Sequence, residues 1–359
     1  MNKIIFSITH LSGGGAERVV CVWANELANK GYDVGILISG HYGKEYPISK
    51  EVKIYSVCNK YEEYEKLSLF AKLHRKRRLL KEINPTYVIS FLEQNQVWTM
   101  ISSYGLGIKR IETVRNNPWK VAPQNIIYRW LWLRTFSKAY RVIFQSKDQM
   151  GYFEKRIQNK GIVIPNPISD IYNNFYKTDF SIKPEHFIAV GRLTEQKNYQ
   201  MMIEAFGIAC KKNPNLQLSI YGEGEQKEYI EHMIHEKKLD QNISLKGRSN
   251  NIEIELSKND IFLMSSDYEG MPNSLMEAMA SKLICISTSC KTGPSNLIDD
   301  GINGFLVPVG DPIEMAACIE RVMNMSLEDV KNIGECAHKK IIAYCSVENS
   351  VDRLANILK

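Results

Sequence analysis

The sequence contains no uninterrupted apolar run near the roughly 20 residues that a bilayer-crossing helix needs, so the chain is not expected to span a membrane. Its start, Met1-Asn2-Lys3-Ile4-Ile5-Phe6, carries one positive charge and a short apolar run that meets Gly13-Gly14-Gly15 without a small-residue cleavage site. That pattern reads as a first strand, not a secretion signal. None of the eight cysteines forms a CxxC pair, and Cys21, Cys210 and Cys318 fall at apolar helix positions where a free thiol behaves as a small hydrophobe. This usage suits a reducing compartment. His232 and His235 lie three residues apart on a Glu/Lys-rich helical stretch with no partner of metal-ligand type, which reads as solvated surface, and no metal or other cofactor is expected. There is no internal repeat, no low-complexity segment and no recognised nucleic-acid-binding module to accompany the basic residues.

What is present describes a globular chain. Of its 359 residues, 44% are hydrophobic and 24% charged, and the net charge of +6 is concentrated in the N-terminal half. At roughly 100–200 residues per domain the length predicts two domains. Short β-branched and apolar runs alternate with amphipathic helical patterns: strands at Ile4–Thr9, Val34–Ser39, Tyr87–Phe91, Arg110–Val114, Val142–Gln145 and Ile162–Ile164, then a second series at Phe187–Val190, Leu216–Tyr221, Ile243–Lys246, Ile261–Met264, Ile284–Ser287 and Gly304–Val307. Such alternation predicts an α/β chain of two doubly wound, Rossmann-like domains with parallel sheets. Between the series, Pro165-Asn166-Pro167 opens an aperiodic stretch. The expected boundaries are 1–167, a linker over 168–185, 186–345, and a final helix over 346–359.

Ligands of such sheets bind beyond the carboxyl ends of the strands, so the loops there hold the candidate site. After Val190 comes Gly191-Arg192-Leu193-Thr194-Glu195-Gln196-Lys197-Asn198, which places two permanent cations beside the start of a helix at Tyr199. Forked donors from Arg192, a point charge on Lys197 and free N–H groups suit a diphosphate, although two surface cations near a turn have the same sequence. After Met264 comes Ser265-Ser266-Asp267-Tyr268-Glu269-Gly270-Met271-Pro272-Asn273-Ser274-Leu275-Met276-Glu277. Glycine leaves backbone N–H groups open and proline suits a first helical turn, so Glu269 stands at a mouth and Glu277 lies two turns inside a helix. Carboxylates accept hydrogen bonds from adjacent hydroxyls, one on a sugar ring and one on a ribose. Glu277 among Leu275, Met276 and Met279 would be costly to bury without such partners.

These segments, with Tyr221-Gly222-Glu223-Gly224, Gly293-Pro294-Ser295-Asn296, Asp300-Gly301-Ile302-Asn303-Gly304 and Gly310-Asp311-Pro312, resemble the C-terminal half of family 4 glycosyltransferases. The resemblance extends more weakly over the N-terminal half. It implies a GT-B fold, two Rossmann-like domains facing across a cleft, with the donor in the second domain, the acceptor mostly in the first, and the last helix crossing back to the first. It implies a retaining hexosyltransferase using a nucleotide sugar, by family weight a UDP-sugar, with catalytic Arg192, Lys197 and Glu269 and donor contacts from Gly14, Gly15, Gly270, Met271, Pro272, Asn273, Ser274 and Glu277. The sequence lacks a DxD motif, so charge on the leaving diphosphate would be stabilised by the two cations and a helix end instead of a metal. A role in capsule, O-antigen or exopolysaccharide assembly follows from the same likeness.

In the N-terminal half, Ser12-Gly13-Gly14-Gly15-Ala16-Glu17-Arg18 follows the first strand and opens a helix, but Arg18 stands where a dinucleotide fingerprint wants glycine, and no acid closes the second strand. A dehydrogenase is thereby disfavoured, while a plain tight turn is not. Many relatives carry a histidine after a middle strand; here Thr113-Val114-Arg115-Asn116 stands there, so no histidine role carries over, and Arg115 is either an anion ligand or a structural cation. Two stretches suit an anionic membrane and a lipid-linked glycan acceptor. One is the helix with Arg75, Arg78 and Lys81 opposite Leu69, Phe70, Leu73, Leu80 and Ile83; the other is Tyr128-Arg129-Trp130-Leu131-Trp132-Leu133-Arg134. Each cation near an anionic surface contributes about 1 kcal/mol, and tryptophan favours the interface. A solvated face and a core helix are their respective alternatives. The expected location is cytoplasmic, peripheral at the inner face of the membrane. Two other readings stay open: a nucleotide-sugar epimerase or hydrolase of the same fold, and a non-catalytic nucleotide-sugar-binding protein.

Overall fold

The computed structural model describes residues 2–179 and 185–359. They form two compact units, Met1–Pro167 with Val347–Lys359, and Ile168–Ser346.

The first unit is built on β1 (Lys3–Ser7), β2 (Asp33–Ile38), β3 (Lys53–Ser56), β4 (Tyr87–Ser90), β5 (Lys109–Thr113), β6 (Arg141–Phe144) and β7 (Gly161–Val163), in the order β3-β2-β1-β4-β5-β6-β7. The second contains β8 (His186–Val190), β9 (Gln217–Tyr221), β10 (Ile243–Gly247), β11 (Ile261–Met264), β12 (Ile284–Thr288) and β13 (Phe305–Val307), in the order β10-β9-β8-β11-β12-β13. Every pairing of these strands is parallel. Both sheets are doubly wound, and their strand order reverses between β1 and β4 in one and between β8 and β11 in the other.

Alternation along each strand divides the core into two layers. Ile4 and Phe6 pack with Val19, Val20, Trp23 and Leu27 of the helix Gly15–Asn29, whereas Ile5 turns to Leu80 and Ile83 of the helix Leu69–Ile83. In the second unit Phe187 and Ala189 face Met202, Ile203 and Phe206 of the helix Tyr199–Lys212, while Ile188 faces Leu275, Met276 and Met279 of the helix Asn273–Ala280. Burial on both faces explains why these strands are continuous apolar runs.

Two features depart from the sequence reading. β3 was not anticipated: Lys-Ile-Tyr-Ser is a half-exposed edge strand in which polar residues dilute the apolar signal. The expected linker also belongs to the second unit over its described part. Ile168 and Tyr172 are buried with Met276, Leu283 and Ile341, and Lys177 Nζ pairs with Asp260 Oδ1 at 3.0 Å. Only one 3-10 turn, Asp170–Asn173, forms there, too short to show periodicity. Residues 180–184 of that stretch lie outside the described residues.

The helix Val347–Asn356 packs on Gly15–Asn29 in the first unit. Trp23 Nε1 donates to Ser350 Oγ at 2.8 Å, and Ser350 Oγ donates to the Pro165 carbonyl at 3.0 Å, so one buried hydroxyl ties the last helix to the first and to the end of the segment at Pro167. Ser350→Ala leaves a buried indole N–H and a carbonyl unpaired, at about 1–3 kcal/mol for each lost partner. The expected outcome is a lower thermal midpoint, read by calorimetry, with no loss of secondary structure at 25 °C.

Candidate active site

The loops after β8 and β11 emerge side by side, because β8 and β11 pair directly through Phe187–Ile261 and Ile188–Phe262 at the reversal of strand order. They lock together through both side chains and backbone. Lys197 Nζ lies 2.6 Å from Glu269 Oε1, which also accepts from Ser266 Oγ at 2.8 Å. Asn198 Nδ2 donates to Asp267 Oδ1 at 2.7 Å, Gln196 Nε2 to the Tyr268 carbonyl at 2.8 Å, and Ser265 Oγ to the Lys197 carbonyl at 2.9 Å. Asn198 adopts φ 45, a left-handed conformation that asparagine tolerates, while its side chain caps the helix at Met201 N. Its position, an asparagine directly before a helical run, is a capping signal readable in the sequence.

Two glycines set the spacing. A Cβ on Gly191 would meet Lys197 Cε at 3.1 Å and Tyr199 Oη at 3.2 Å, and a Cβ on Gly222 would meet the Gly191 carbonyl oxygen at 1.8 Å. Gly222 and Gly224 therefore let the segment after β9 press on the loop after β8, joined through Leu193 N to the Glu223 carbonyl at 2.9 Å. Burial, with the nearby Glu269 carboxylate, raises the Tyr199 phenol, which stays protonated and donates to the Gly191 carbonyl at 3.1 Å. Behind Glu269, Thr292 Oγ1 donates to its carbonyl, and Cys290, whose thiol burial pushes up to about 11, donates to the Ser266 carbonyl at 2.9 Å.

Glu277 is buried on the second turn of the helix Asn273–Ala280, and Gly270 and Met271 are buried at its approach. Pro272 occupies the position before this helix; Asn273 and Ser274 are half-buried in its first turn. Lys197, Glu269 and the start of this helix are thus brought to one edge. Arg192 is exposed, and its side chain has no hydrogen bond or ion pair among the described residues. In the first unit Gly14 and Gly15 sit at the start of the helix after β1, where a Cβ on Gly14 would overlap the end of the Glu17 side chain and require that carboxylate to move.

The basic and aromatic stretches are redistributed. Trp132 is 1% exposed and packs on Phe136 and Phe153, so it is a core residue and not a membrane contact; the helix Ile126–Ser137 turns Ile126, Ile127 and Trp130 outward instead, at 84%, 72% and 57%. Arg75 and Lys81 are exposed, and Arg78 pairs with Glu82 at 2.8 Å on the surface. Leu69 and Phe70, expected on the apolar side of that helix opposite the cations, are exposed, whereas Lys76 is buried and donates to Asn95 Oδ1 at 2.6 Å. Burial pulls Lys76 down to about 7 and pushes Glu112 up to about 7. Arg115 is turned inward, its guanidinium 4.6 Å from the Trp23 ring centre and 4.7 Å from that of Phe91. His232 and His235 are surface residues near Glu236 and Asp240 respectively, and no group of three or more potential metal ligands occurs among the described residues.

Two family models cover this architecture almost end to end: Glycosyltransferase Family 4 over residues 13–170 and Glycosyl transferases group 1 over residues 171–340. The chain belongs to the family 4 glycosyltransferases. An α-1,4-N-acetylgalactosaminyltransferase of Campylobacter jejuni, named for an undecaprenyl-diphosphate-linked glycan, is 29% identical over 333 residues, covering 90% of this chain and 89% of its own. The amylovoran biosynthesis glycosyltransferase AmsD of Erwinia amylovora is 26% identical, with 86% of each chain covered. The structure of HepE from Anabaena, solved with UDP and glucose, superposes with a TM-score of 0.82 at 16% identity over 100% of this chain and 99% of its own. This likeness identifies the fold as GT-B. No helix among the described residues of this glycosyltransferase is long and apolar enough to cross a membrane.

A Gly222→Ala variant must displace the Gly191 carbonyl, while Gly207→Ala meets only the movable Leu239 side chain at 3.1 Å. The first is expected to lower the thermal midpoint by several degrees and the second to change it far less, measured side by side by differential scanning fluorimetry.

Proposed function

We propose that this glycosyltransferase moves a hexose or N-acetylhexosamine from a UDP-sugar, with retention and without a metal, onto a membrane-lipid-linked glycan in surface polysaccharide assembly. The observation that carries the reading is the junction of Lys197 and Glu269 at the reversal of strand order, with Glu277 buried behind it. Lys197 is the point charge for the departing diphosphate, and exposed Arg192 supplies a fork that closes on it. Glu269 orients the donor sugar through its hydroxyls, with Gly270, Met271, Asn273 and Ser274 around it, and Glu277 accepts from the ribose diol. The acceptor hydroxyl attacks the sugar from the face the diphosphate leaves, forming the new glycosidic bond as the old one breaks, and gives its proton to the departing diphosphate oxygen, so no side chain is needed as general base and no sugar–enzyme bond forms. The UDP in the HepE structure and the undecaprenyl-linked glycan in the name of the Campylobacter relative support the choice of donor and acceptor.

The acceptor's lipid would be met at the inner face of the membrane by the helix Ile126–Ser137. Its outward Ile126, Ile127 and Trp130 insert, while Arg134, stacked at 5.1 Å on Trp130, and Arg129 meet anionic headgroups. The exposed Arg75 and Lys81 add to the same attraction.

The test is release of nucleoside diphosphate from UDP-sugars with and without a lipid-diphosphate glycan fraction. Release that requires acceptor, persists in EDTA and yields an α-linked product by NMR is expected. Acceptor-independent conversion of the donor would instead mark a hydrolase or epimerase. Glu277→Gln is expected to weaken UDP binding about tenfold or more, as loss of a charge-assisted hydrogen bond does, by calorimetric titration. For the membrane contact, Ile127→Glu with Trp130→Glu should abolish flotation with phosphatidylglycerol vesicles while leaving UDP binding unchanged; unchanged flotation would remove this helix from the interface.

A further inference from the structure

Arg115 follows β5 and reaches the point in the first unit where the strand order reverses. Its guanidinium lies between Phe91, at the end of β4, and Trp23, on the helix after β1. Nη1 donates to Asn166 Oδ1 at 3.0 Å, and that oxygen is shared with Gln145 Nε2 at 2.8 Å. Nε and Nη2 are buried and have no hydrogen-bond partner. These two nitrogens form one edge of the guanidinium, the fork that grips an oxyanion with two parallel hydrogen bonds. No carboxylate pairs with Arg115 among the described residues, and burial with no acid to offset it lowers the guanidinium to about 9. A buried cation with an unfilled fork is unfavourable in the ligand-free protein, and such a cost is retained where a ligand repays it.

A second sign of strain sits beside it. Leu92, the residue after Phe91, holds φ 66 and ψ 140, a conformation that a branched side chain rarely adopts. It is fixed between β4 and the helix Glu93–Ser103, and a strained residue at the carboxyl end of a strand is where doubly wound sheets meet ligands.

We propose that Arg115 is the oxyanion-binding residue of the first unit, its Nε/Nη2 edge receiving a phosphate group at the reversal point between β1 and β4. Phe91 and Trp23 hold the guanidinium plane, and Asn166 fixes its far corner, so the fork is oriented before the ligand arrives. Arg115 as a residue is half-buried, so part of the side chain still reaches the surface beside the unfilled edge. The phosphate belongs either to the donor's diphosphate or to the acceptor's lipid diphosphate. The inference rests on the proposed transferase reading only for that choice of sources.

The experiment compares wild type, Arg115→Met and Arg115→Lys, each also in a Lys197→Ala background that removes the cation of the second unit. In the Lys197→Ala background, calorimetric titration with inorganic pyrophosphate should retain binding that Arg115→Met weakens about tenfold or more and Arg115→Lys restores in part, since lysine keeps the charge but not the fork. Without ligand, Arg115→Met should have an equal or higher thermal midpoint than wild type, because the unpaired buried charge is gone. A lowered midpoint together with unchanged pyrophosphate affinity would show Arg115 to be a structural cation and overturn the proposal. Titration with UDP and with farnesyl diphosphate assigns the source: loss confined to UDP points to the donor, loss confined to farnesyl diphosphate to the acceptor, and loss of neither overturns the proposal. If Lys197→Ala leaves UDP affinity intact while Arg115→Met abolishes pyrophosphate binding, the donor-site reading fails and the Arg115 site stands.

Discussion

The contact between Lys197 and Glu269 is the constraint from which the second unit's chemistry is built. It joins two loops whose strands are more than seventy residues apart in sequence yet adjacent in the sheet. Both charges are largely withdrawn from water, so each depends on the other, and the neighbouring Ser266 hydroxyl uses a remaining acceptor position on the carboxylate. Around this pair three more polar side chains bridge the two loops: Asn198 on Asp267, Gln196 on the Tyr268 carbonyl, and Ser265 on the Lys197 carbonyl. The result is a preorganised charged edge, which is what stabilisation of a departing anion requires.

The first unit repeats the second unit's strand order with one further strand at its far edge, and carries its charge differently. At its reversal point an arginine lies against two aromatic rings with its fork unfilled and no acid paired with it among the described residues, and the buried Lys76 donates to Asn95, which holds the Ser7 and Phe91 carbonyls. The two edges therefore differ in readiness. One is neutralised internally and ordered before a ligand arrives; the other holds an unbalanced charge. The first unit is further tied by Ser350, through which Trp23, the ring beneath Arg115, is bonded to the returning C-terminal helix. A chain that leaves a domain and comes back to it can place the support of a ligand residue more than two hundred positions away from that residue.

The parallel strands were legible in sequence because both faces of each sheet are covered, so Ile4–Phe6, Ile261–Met264 and Ile284–Ile286 are apolar without interruption. The paired glutamates and the Arg-Lys loop were legible as motifs. Less legible were elements whose burial depends on distant partners. The edge strand Lys53–Ser56 is polar on its open side, and Tyr172 enters the second core from a single turn. Trp130 and Trp132 show the limit most plainly: two residues apart on one helix, they are interchangeable in composition but lie about 200° apart around the axis, and only one of them meets Phe136 and Phe153.

The sequence by itself determined the two-domain α/β architecture, the positions of most strands along the chain and the identity of the charged residues near the strand ends, because periodicity and loop chemistry are local properties. Tertiary structure alone decided which of those charges meet. Lys197 found Glu269 because β8 and β11 are neighbours, Arg192 remained in solvent, Lys76 went inside to Asn95 while Arg75 and Arg78 beside it stayed out, and Arg115 turned from a loop cation into a buried one. Whether a charge is paired, solvated or left waiting is fixed by the strand order and by the packing of its neighbours, and neither is written in the spacing of residues along the chain.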